Sequence, residues 1–232
     1  MRFVNYSFPR SGSCWVRYIF NTLLGFPQDN SPENYRNQPI PYIKYHDFKD
    51  GDEDFFVPNG PKRNRSCNGL ILLIRNYKEC IIRHSLQANA AHLYTSIPQY
   101  ISAIIFFEEF KGPKILIYYE ELMANPQKEI LRLGQFINEC SEYNVDDEVE
   151  KFLTNLKYHQ QQSLESHPCA YANQTSGKKE YHYIYHLTKH QSKVWDYIIK
   201  YVYPEQYKKY LKRYRGHPKQ WFFKIRKMFG LL

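Results

Sequence analysis

The stretch SFPRSGSCW, residues 7–15, joins an apolar run to an amphipathic run near the start of the chain. A glycine-containing turn between a strand and a helix exposes backbone N–H groups at the positive end of the helix dipole, which together form an anion site. Ser11 and Ser13 add hydroxyl donors, and Arg10 adds a guanidinium that suits phosphate or sulfate oxygens. The stretch therefore predicts a site for an anionic nucleotide. The alternative is a plain strand–helix turn whose polar residues only cap the helix.

On both sides of this stretch, strand patterns alternate with helical ones. The most apolar run is GLILLIR, residues 69–75, which is typical of a strand covered on both faces. Further strands are predicted at residues 3–8, 40–45 and 114–120. This alternation predicts an α/β fold with a central, mainly parallel sheet flanked by helices. Ligands of such sheets bind beyond the carboxyl ends of the strands, here just after Phe8, Tyr45 and Ile74.

Helices are predicted where apolar residues recur at helical spacing. They cover residues 16–24, 78–93 and 96–110, a segment that begins at Asn125-Pro126, and most of the chain from Val145 onward with an interruption at residues 163–179. Asparagine before proline suits a helix start, because asparagine caps unpaired N–H groups and proline lacks one. We predict one domain, residues 1–215, followed by a basic amphipathic tail, residues 216–232.

The net charge of +9 is concentrated at the end of the chain. From Lys208 onward there are nine Lys and Arg residues and no acidic one, so the rest of the chain is balanced in charge. The five cysteines form no C-x-x-C pair, which argues against a disulfide framework and a zinc ribbon. There is no signal-peptide pattern and no apolar run near the ~18 residues that a membrane-spanning helix needs. These features favour a cytoplasmic protein with reduced thiols.

The opening loop closely resembles the phosphosulfate-binding loop of the sulfotransferases, a P-loop-like turn with the pattern P-[KR]-S-G-[TN]-[TS]-W. The matching residues are Pro9, Arg10, Ser11, Gly12, Ser13 and Trp15. Cys14 departs from the pattern, because its thiol replaces a hydroxyl group and donates only weakly. The resemblance implies that this loop cradles the 5′-phosphosulfate of 3′-phosphoadenosine 5′-phosphosulfate (PAPS). It also implies that Arg10 meets the transferring group and that Trp15 packs against the adenine.

A second motif, LLIRNYKECIIRHS at residues 72–85, resembles the family's element for the 3′-phosphate. There a strand ends in arginine, matched by Arg75, and a serine lies eight positions on. Position 83 is an arginine in this chain, and the nearest serine, Ser85, would point elsewhere on a helix. Arg83 can still serve a phosphate through a charge-assisted hydrogen bond. The alternatives are a structural salt bridge for Arg75 and a solvated position for Arg83.

A third motif, YIKYHDF at residues 42–48, resembles the family's K-[TS]-H element, in which the histidine is the general base for the acceptor. Lys44 and His46 match it, while Tyr45 replaces the small residue between them. A histidine suits the role because its pKa of about 6.5 lets it accept a proton near neutral pH. An exposed loop histidine without a catalytic role is the alternative.

Two weaker matches lie further along the chain. The segment that begins KILIYYEEL at residue 114 resembles a family segment containing Y-E-D-L, and this implies that Tyr119 lies near the adenine. The family's closing motif R-K-G-x-x-G-D-W-K is absent, and Lys178 and Lys179 are the candidates to act in its place. The family's dimerisation segment is absent as well, so the oligomeric state stays open.

The resemblance implies an enzyme that moves a sulfuryl group from PAPS, its co-substrate, to a hydroxyl or amine acceptor by in-line displacement, without a metal. The catalytic roles fall on His46, Arg10 and Lys44. Three alternatives stay open. One is a catalytically inactive nucleotide-binding homologue. Another is a P-loop kinase-like phosphotransferase, although the Walker pattern G-x-x-x-x-G-K-[ST] is absent. The third is a membrane- or nucleic-acid-binding module that uses the basic tail.

The expected acceptor is a small molecule or a glycan, whose identity the sequence does not give. The tail stretch KQWFFKIRKMFGLL, residues 219–232, has the pattern of a basic amphipathic helix, which can contact an anionic membrane or dock on its own domain. No nucleic-acid-reading motif accompanies it, so no specific nucleic acid is expected. His182, His186 and His190 recur every fourth residue, but they lack a carboxylate at a ligand offset and predict no metal site.

Overall fold

A computed structural model of the chain describes residues 3–26, 42–45, 68–87, 96–165 and 187–216, with the backbone alone at residues 42–45 and 85–87. The strands in these ranges are β1 (Phe3–Tyr6), β2 (Tyr42–Tyr45), β3 (Gly69–Ile74) and β4 (Lys114–Tyr118). They form a four-stranded sheet in the order β2-β1-β3-β4, and each neighbouring pair is parallel. The predicted α/β fold with a parallel sheet flanked by helices is confirmed over these residues.

The helices account for most of the remaining described residues. They are α1 (Ser13–Leu23), α2 (Tyr77–Gln87), α3 (Ser96–Glu109), α4 (Tyr119–Ala124), α5 (Pro126–Cys140), α6 (Asp146–Thr154), α7 (Leu156–Glu165) and α8 (Lys189–Val202). After α8 the chain forms a helical turn (Pro204–Gln206), a π-helical turn (Tyr207–Leu211) and a 3₁₀ turn (Lys212–Tyr214). We call residues 204–216 the C-terminal segment.

Side chains of the sheet alternate between two apolar cores, one on each face. Leu70, Leu72 and Ile74 face a core formed with α2, α3, α8 and the C-terminal segment. Ile71 and Leu73 face a second core formed with α1, α5 and α6. None of these five side chains is more than 1% exposed, which confirms the prediction that β3 is covered on both faces. The carboxyl end of β3 therefore opens into a region already shielded from water.

Two predicted strands are longer than the observed ones. The strand predicted over residues 114–120 ends at Tyr118, and Tyr119 opens α4 instead. Glu120 and Glu121 occupy the first turn of α4, where a negative charge is favourable beside the positive end of the helix dipole. The strand predicted over residues 3–8 ends at Tyr6, because the following residues form the turn that leads into α1.

Most of the predicted helices are present where their residues are described. The helix predicted over residues 96–110 corresponds to α3, and the predicted cap at Asn125 is confirmed, since its side chain accepts a hydrogen bond of 3.3 Å from the backbone N–H of Lys128. The helix predicted over residues 78–93 begins one residue earlier, at Tyr77, and residues 88–95 lie outside the described part. The tail beyond residue 216 also lies outside it.

The cap of α5 gives a direct test of this local structure. Asn125→Ala removes the oxygen that accepts from Lys128, and we expect it to lower the free energy of unfolding by about 1 kcal/mol. Asn125→Asp keeps an acceptor oxygen at the same position and should retain most of the stability. Urea denaturation of the three proteins measures both effects. Equal stability of the alanine and aspartate variants would show that the side-chain cap contributes nothing.

Candidate functional site

The loops that follow β1 and β3 lie side by side at the carboxyl edge of the sheet, because these two strands are adjacent and parallel. The chain runs from β1 to β2 on one side, and then crosses to β3 on the other side of β1. The connections thus diverge between β1 and β3, and ligands of open α/β sheets bind at such a divergence. The topology brings the SFPRSGSCW loop and Arg75 to this place from positions 65 residues apart.

The backbone of the loop after β1 is unusual at two positions. Arg10 has φ 69° and Gly12 has φ 96°, both in the left-handed region. For an arginine this conformation costs roughly 1–3 kcal/mol, and such strain is concentrated at functional sites. α1 begins at Ser13, three residues earlier than predicted, with Gly12 as its N-cap and no side-chain capping bond. The first turn of α1 therefore presents backbone N–H groups that no capping side chain covers, as an anion site requires.

Tyr119, the first residue of α4, packs directly on Gly12. A Cβ atom added to Gly12 would overlap the edge of the Tyr119 ring. Glycine is thus required here both for its left-handed backbone and for its lack of a side chain. This contact joins the loop after β1 to the end of β4, so three strand ends converge: those of β1, β3 and β4.

Arg75 lies at the end of β3 and is only 4% exposed. Its Nη1 donates a hydrogen bond of 3.3 Å to the carbonyl oxygen of Arg10, and its Cζ lies 4.2 Å from the centre of the Tyr119 ring. Its Nε has no hydrogen-bond partner among the described residues. A buried donor without a partner is costly, and a guanidinium in this state attracts an anion.

Arg75 keeps its positive charge although its side chain is buried. Burial lowers the pKa of Arg75, but its neighbours raise it by more, so the pKa lies above its ordinary value. The neighbours that raise it are Tyr119, Cys80, Glu79 and Glu120. None of the described acidic residues forms a salt bridge with Arg75. Among the described residues, the alternative of a structural salt bridge for Arg75 is therefore not observed.

Helix α2 is tied to the loop through Cys80. The Cys80 sulfur lies 3.7 Å from the carbonyl oxygen of Arg10 and 3.7 Å from the hydroxyl oxygen of Ser11. Cys80 is fully buried, and burial raises the pKa of its thiol to about 12. The thiol is therefore neutral and unreactive at physiological pH, and its contribution is to hold the loop against α2.

Arg83 is not solvated, which was one of the alternatives for it. It is 9% exposed, and its Nε lies 2.7 Å from Oε1 of Glu79. Glu79 lies one helical turn earlier and is fully buried. The arginine that stands in place of the family's serine therefore has a carboxylate partner on its own helix. Its charge is largely compensated before any ligand binds.

The remaining residues of the loop differ in their surroundings. Ser11 and Ser13 are buried, whereas Cys14 and Trp15 are half-buried. The Trp15 ring stacks on Tyr18 at a centroid distance of 5.7 Å and lies 6.0 Å from Phe152. Trp15 thus packs at the margin of the core shared by α1 and α6, with part of its ring still accessible.

Several predicted site residues lie outside the described side chains. His46, Lys178 and Lys179 belong to segments that the structure does not describe. Lys44 is described by its backbone alone, and it pairs with Asn5 of β1 in the parallel register.

Sequence reasoning missed the residues that hold Arg75 in place. Tyr100 of α3 donates its hydroxyl hydrogen to the carbonyl oxygen of Arg75, and Glu120 accepts from the backbone N–H of Asn76 at 3.0 Å. Glu120 was visible in the sequence as the acidic last residue of a predicted strand. Tyr100 gave no signal beyond its place on an apolar helix face, because only the packing of α3 on the sheet brings it to Arg75.

Comparison with known proteins finds no matching family model and no matching curated protein. Within the described residues, no group of three or more His, Cys, Asp or Glu side chains could hold a metal ion. In the same ranges no helix is long and apolar enough to cross a membrane. His190, the described member of the histidine series, is exposed at the start of α8.

The packing of Tyr119 on Gly12 can be tested with two glycines. Gly25 is also left-handed, with φ 70°, but nothing lies within 4 Å of a Cβ added there. Gly25→Ala should cost about 1–2 kcal/mol of unfolding free energy from the backbone alone. Gly12→Ala should exceed that loss by about 1–3 kcal/mol, because the new methyl group also displaces the Tyr119 ring. Equal losses in urea denaturation would contradict the packing described above.

Proposed function

We propose that the protein is a PAPS-dependent sulfotransferase that moves a sulfuryl group to a hydroxyl or amine acceptor. The observation that carries the proposal is the contact of Arg75 with Arg10: the two motifs that resemble the family's 3′-phosphate and phosphosulfate elements meet across β1 and β3. The buried Nε of Arg75 has no hydrogen-bond partner among the described residues, and an anionic group of the nucleotide would supply one.

The proposed binding roles follow from the surroundings of each side chain. The N-terminus of α1, with Arg10, Ser11, Gly12 and Ser13, receives the 5′-phosphosulfate, because N–H groups, the helix dipole and a guanidinium all favour an anion there. Arg75 receives the 3′-phosphate. Arg83 contributes less than Arg75, since Glu79 already compensates its charge. Tyr119 and the accessible part of Trp15 border the adenine.

The proposed chemistry is an in-line displacement, by analogy with phosphoryl transfer. PAPS supplies an activated sulfuryl group and a phosphate leaving group. His46 removes the proton from the hydroxyl or amine of the acceptor, and Lys44 assists. Both roles are assigned from the resemblance of YIKYHDF to the family's K-[TS]-H element. Arg10 and the N–H groups of α1 stabilise charge that grows on the transferring and leaving oxygens. Because Arg10 and these N–H groups belong to the loop after β1 and the start of α1, we expect a P-loop-like site whose donors are in position before the reaction begins.

A second candidate function is a nucleotide-binding protein without catalysis. The Glu79–Arg83 pair favours it, because the family's serine is replaced by a residue that is neutralised within its own helix. A sulfotransferase and a binding protein differ in one measurement, namely transfer of labelled sulfate from PAPS to members of a panel of hydroxyl and amine compounds.

The nucleotide site is tested by comparing 3′-phosphoadenosine 5′-phosphate (PAP) with AMP, which lacks the 3′-phosphate. We expect PAP to bind more tightly, and Arg75→Met to weaken PAP about 10- to 100-fold, the equivalent of a hydrogen bond to a charged group. AMP should be affected much less. Isothermal titration calorimetry measures both constants.

Arg132→Met is the matched control for this experiment. Arg132 lies on α5, and its partners are Glu129 and the carbonyl oxygen of Leu116, so its loss should leave both affinities unchanged. Equal affinity of the unaltered protein for PAP and AMP would rule out the role given to Arg75.

The catalytic roles are tested by turnover with labelled PAPS and an acceptor found in the panel. His46→Ala should lower kcat by roughly 10²–10⁴, the usual worth of a general base. Arg10→Ala should lower it by about 10²–10³, as for the loss of one donor to the transition state. Lys151→Ala, at an exposed position of α6, is the control. Full turnover of His46→Ala would exclude it as the base, whatever the fold.

A further inference from the structure

The C-terminal segment reaches back to the two strand ends that carry Arg75 and Tyr119. The hydroxyl of Tyr214, a residue only 7% exposed, donates a hydrogen bond of 2.6 Å to Oε2 of Glu120. Glu120 directly follows Tyr119 in α4. The last described part of the chain is therefore connected to the candidate site through one carboxylate.

The other oxygen of Glu120 holds the backbone next to Arg75. Its Oε1 accepts a hydrogen bond of 3.0 Å from the N–H of Asn76, while the carbonyl oxygen of Arg75 accepts from the Tyr100 hydroxyl. These two groups belong to the same peptide unit, so that unit is fixed from both sides. The direction in which the Arg75 side chain leaves the backbone is fixed with it.

A second set of bonds anchors the C-terminal segment itself. Lys78 of α2 is fully buried, and its Nζ lies 2.7 Å from Oδ1 of Asp196. The same nitrogen donates to the carbonyl oxygens of Tyr214 and Gly216, at 3.1 Å and 2.6 Å. Asp196 in turn accepts from the N–H of Gly216 at 2.8 Å. Tyr214 is thus held at both its main chain and its hydroxyl, so it is a fixed support for Glu120.

Packing alone does not explain this arrangement. An apolar pair would fill the same space without the cost of partly burying a carboxylate, yet both oxygens of Glu120 receive directed donors. A carboxylate that accepts from two directed donors is held more closely than an apolar side chain would be. Through Oε1 it ties Asn76, the residue after Arg75, to Glu120, the residue after Tyr119. Through Oε2 it is itself held by the Tyr214 hydroxyl. Arg75 and Tyr119 are the two site residues in ring-to-guanidinium contact.

We propose that Tyr214 and Glu120 are positioning residues that fix the aim of the Arg75 guanidinium at the ligand's 3′-phosphate. The proposal rests on the proposed function and deepens it, because it makes selectivity for a 3′-phosphorylated adenosine depend on the C-terminal segment. Tyr214 and Glu120 need not contact the ligand. They act through the peptide unit of Arg75.

The test is a double-mutant cycle read out as affinity for PAP and for AMP at a temperature where every variant is folded. Tyr214→Phe removes only the hydroxyl, and we expect it to weaken PAP about five-fold, the equivalent of one hydrogen bond, and AMP hardly at all. In an Arg75→Met background the same change should have no further effect on PAP. Coupling of this kind identifies an effect transmitted through Arg75.

Variants at Glu120 separate its hydrogen bonds from its bulk. Glu120→Gln keeps an oxygen for the N–H of Asn76 and should weaken PAP less than Glu120→Ala does. The control is Arg213→Met in the C-terminal segment, which removes an ion pair of 2.6 Å with Glu121 of α4. Its ratio of PAP to AMP affinity should equal that of the unaltered protein.

Each outcome decides the proposal. Suppose that the unaltered protein binds PAP more tightly than AMP. If Tyr214→Phe then has the same affinity for PAP as the unaltered protein, or loses affinity for PAP and AMP by the same factor, the positioning role is wrong and the proposed function stands. Additive losses of Tyr214→Phe and Arg75→Met would also overturn the positioning role. If the unaltered protein does not distinguish PAP from AMP, both the proposed function and this inference fall.

Discussion

Arg75 carries a positive charge at the end of β3, where every apolar neighbour along the strand is withdrawn from water. Burial of a charge is tolerated only when hydrogen bonds or opposite charge compensate it. The carbonyl oxygen of Arg10 and the face of Tyr119 supply part of that compensation, while the Nε has no partner among the described residues. In the function that we propose, the anionic ligand supplies the rest.

Parallel strands give this arrangement its geometry. Because the carboxyl ends of β1, β3 and β4 lie at one edge of the sheet, three loops from distant parts of the chain converge there. Gly12 lets the Tyr119 ring approach the backbone of the first loop, and Cys80 holds that loop against α2. The backbone strain at Arg10 is tolerated because its carbonyl oxygen accepts a hydrogen bond from Arg75, which offsets part of the cost of the left-handed conformation.

The departures from the sulfotransferase pattern have a physical reading. Arg83 is accompanied by Glu79 one helical turn earlier, so the exchange of a small donor for a large cation adds little net charge to the site. In the function that we propose, recognition of the 3′-phosphate falls mainly on Arg75, whose own carboxylate neighbours are held by other groups. Glu120, for example, is bonded to Asn76 and Tyr214. The positioning role that we propose for the C-terminal segment agrees with this division of roles.

The sequence by itself determined the α/β class, the burial of β3, the cap at Asn125 and the glycine-containing turn between β1 and α1, because these depend on local periodicity and on backbone preferences of neighbouring residues. Element ends were less certain: at Tyr119 the favourable start of a helix ended the strand early. Only the tertiary structure decided that Arg75 bonds to Arg10, that Tyr100 bonds to Arg75 and that Tyr214 bonds to Glu120. Those contacts join residues far apart in the chain, and their free energy exists only once the sheet and its covering helices have assembled.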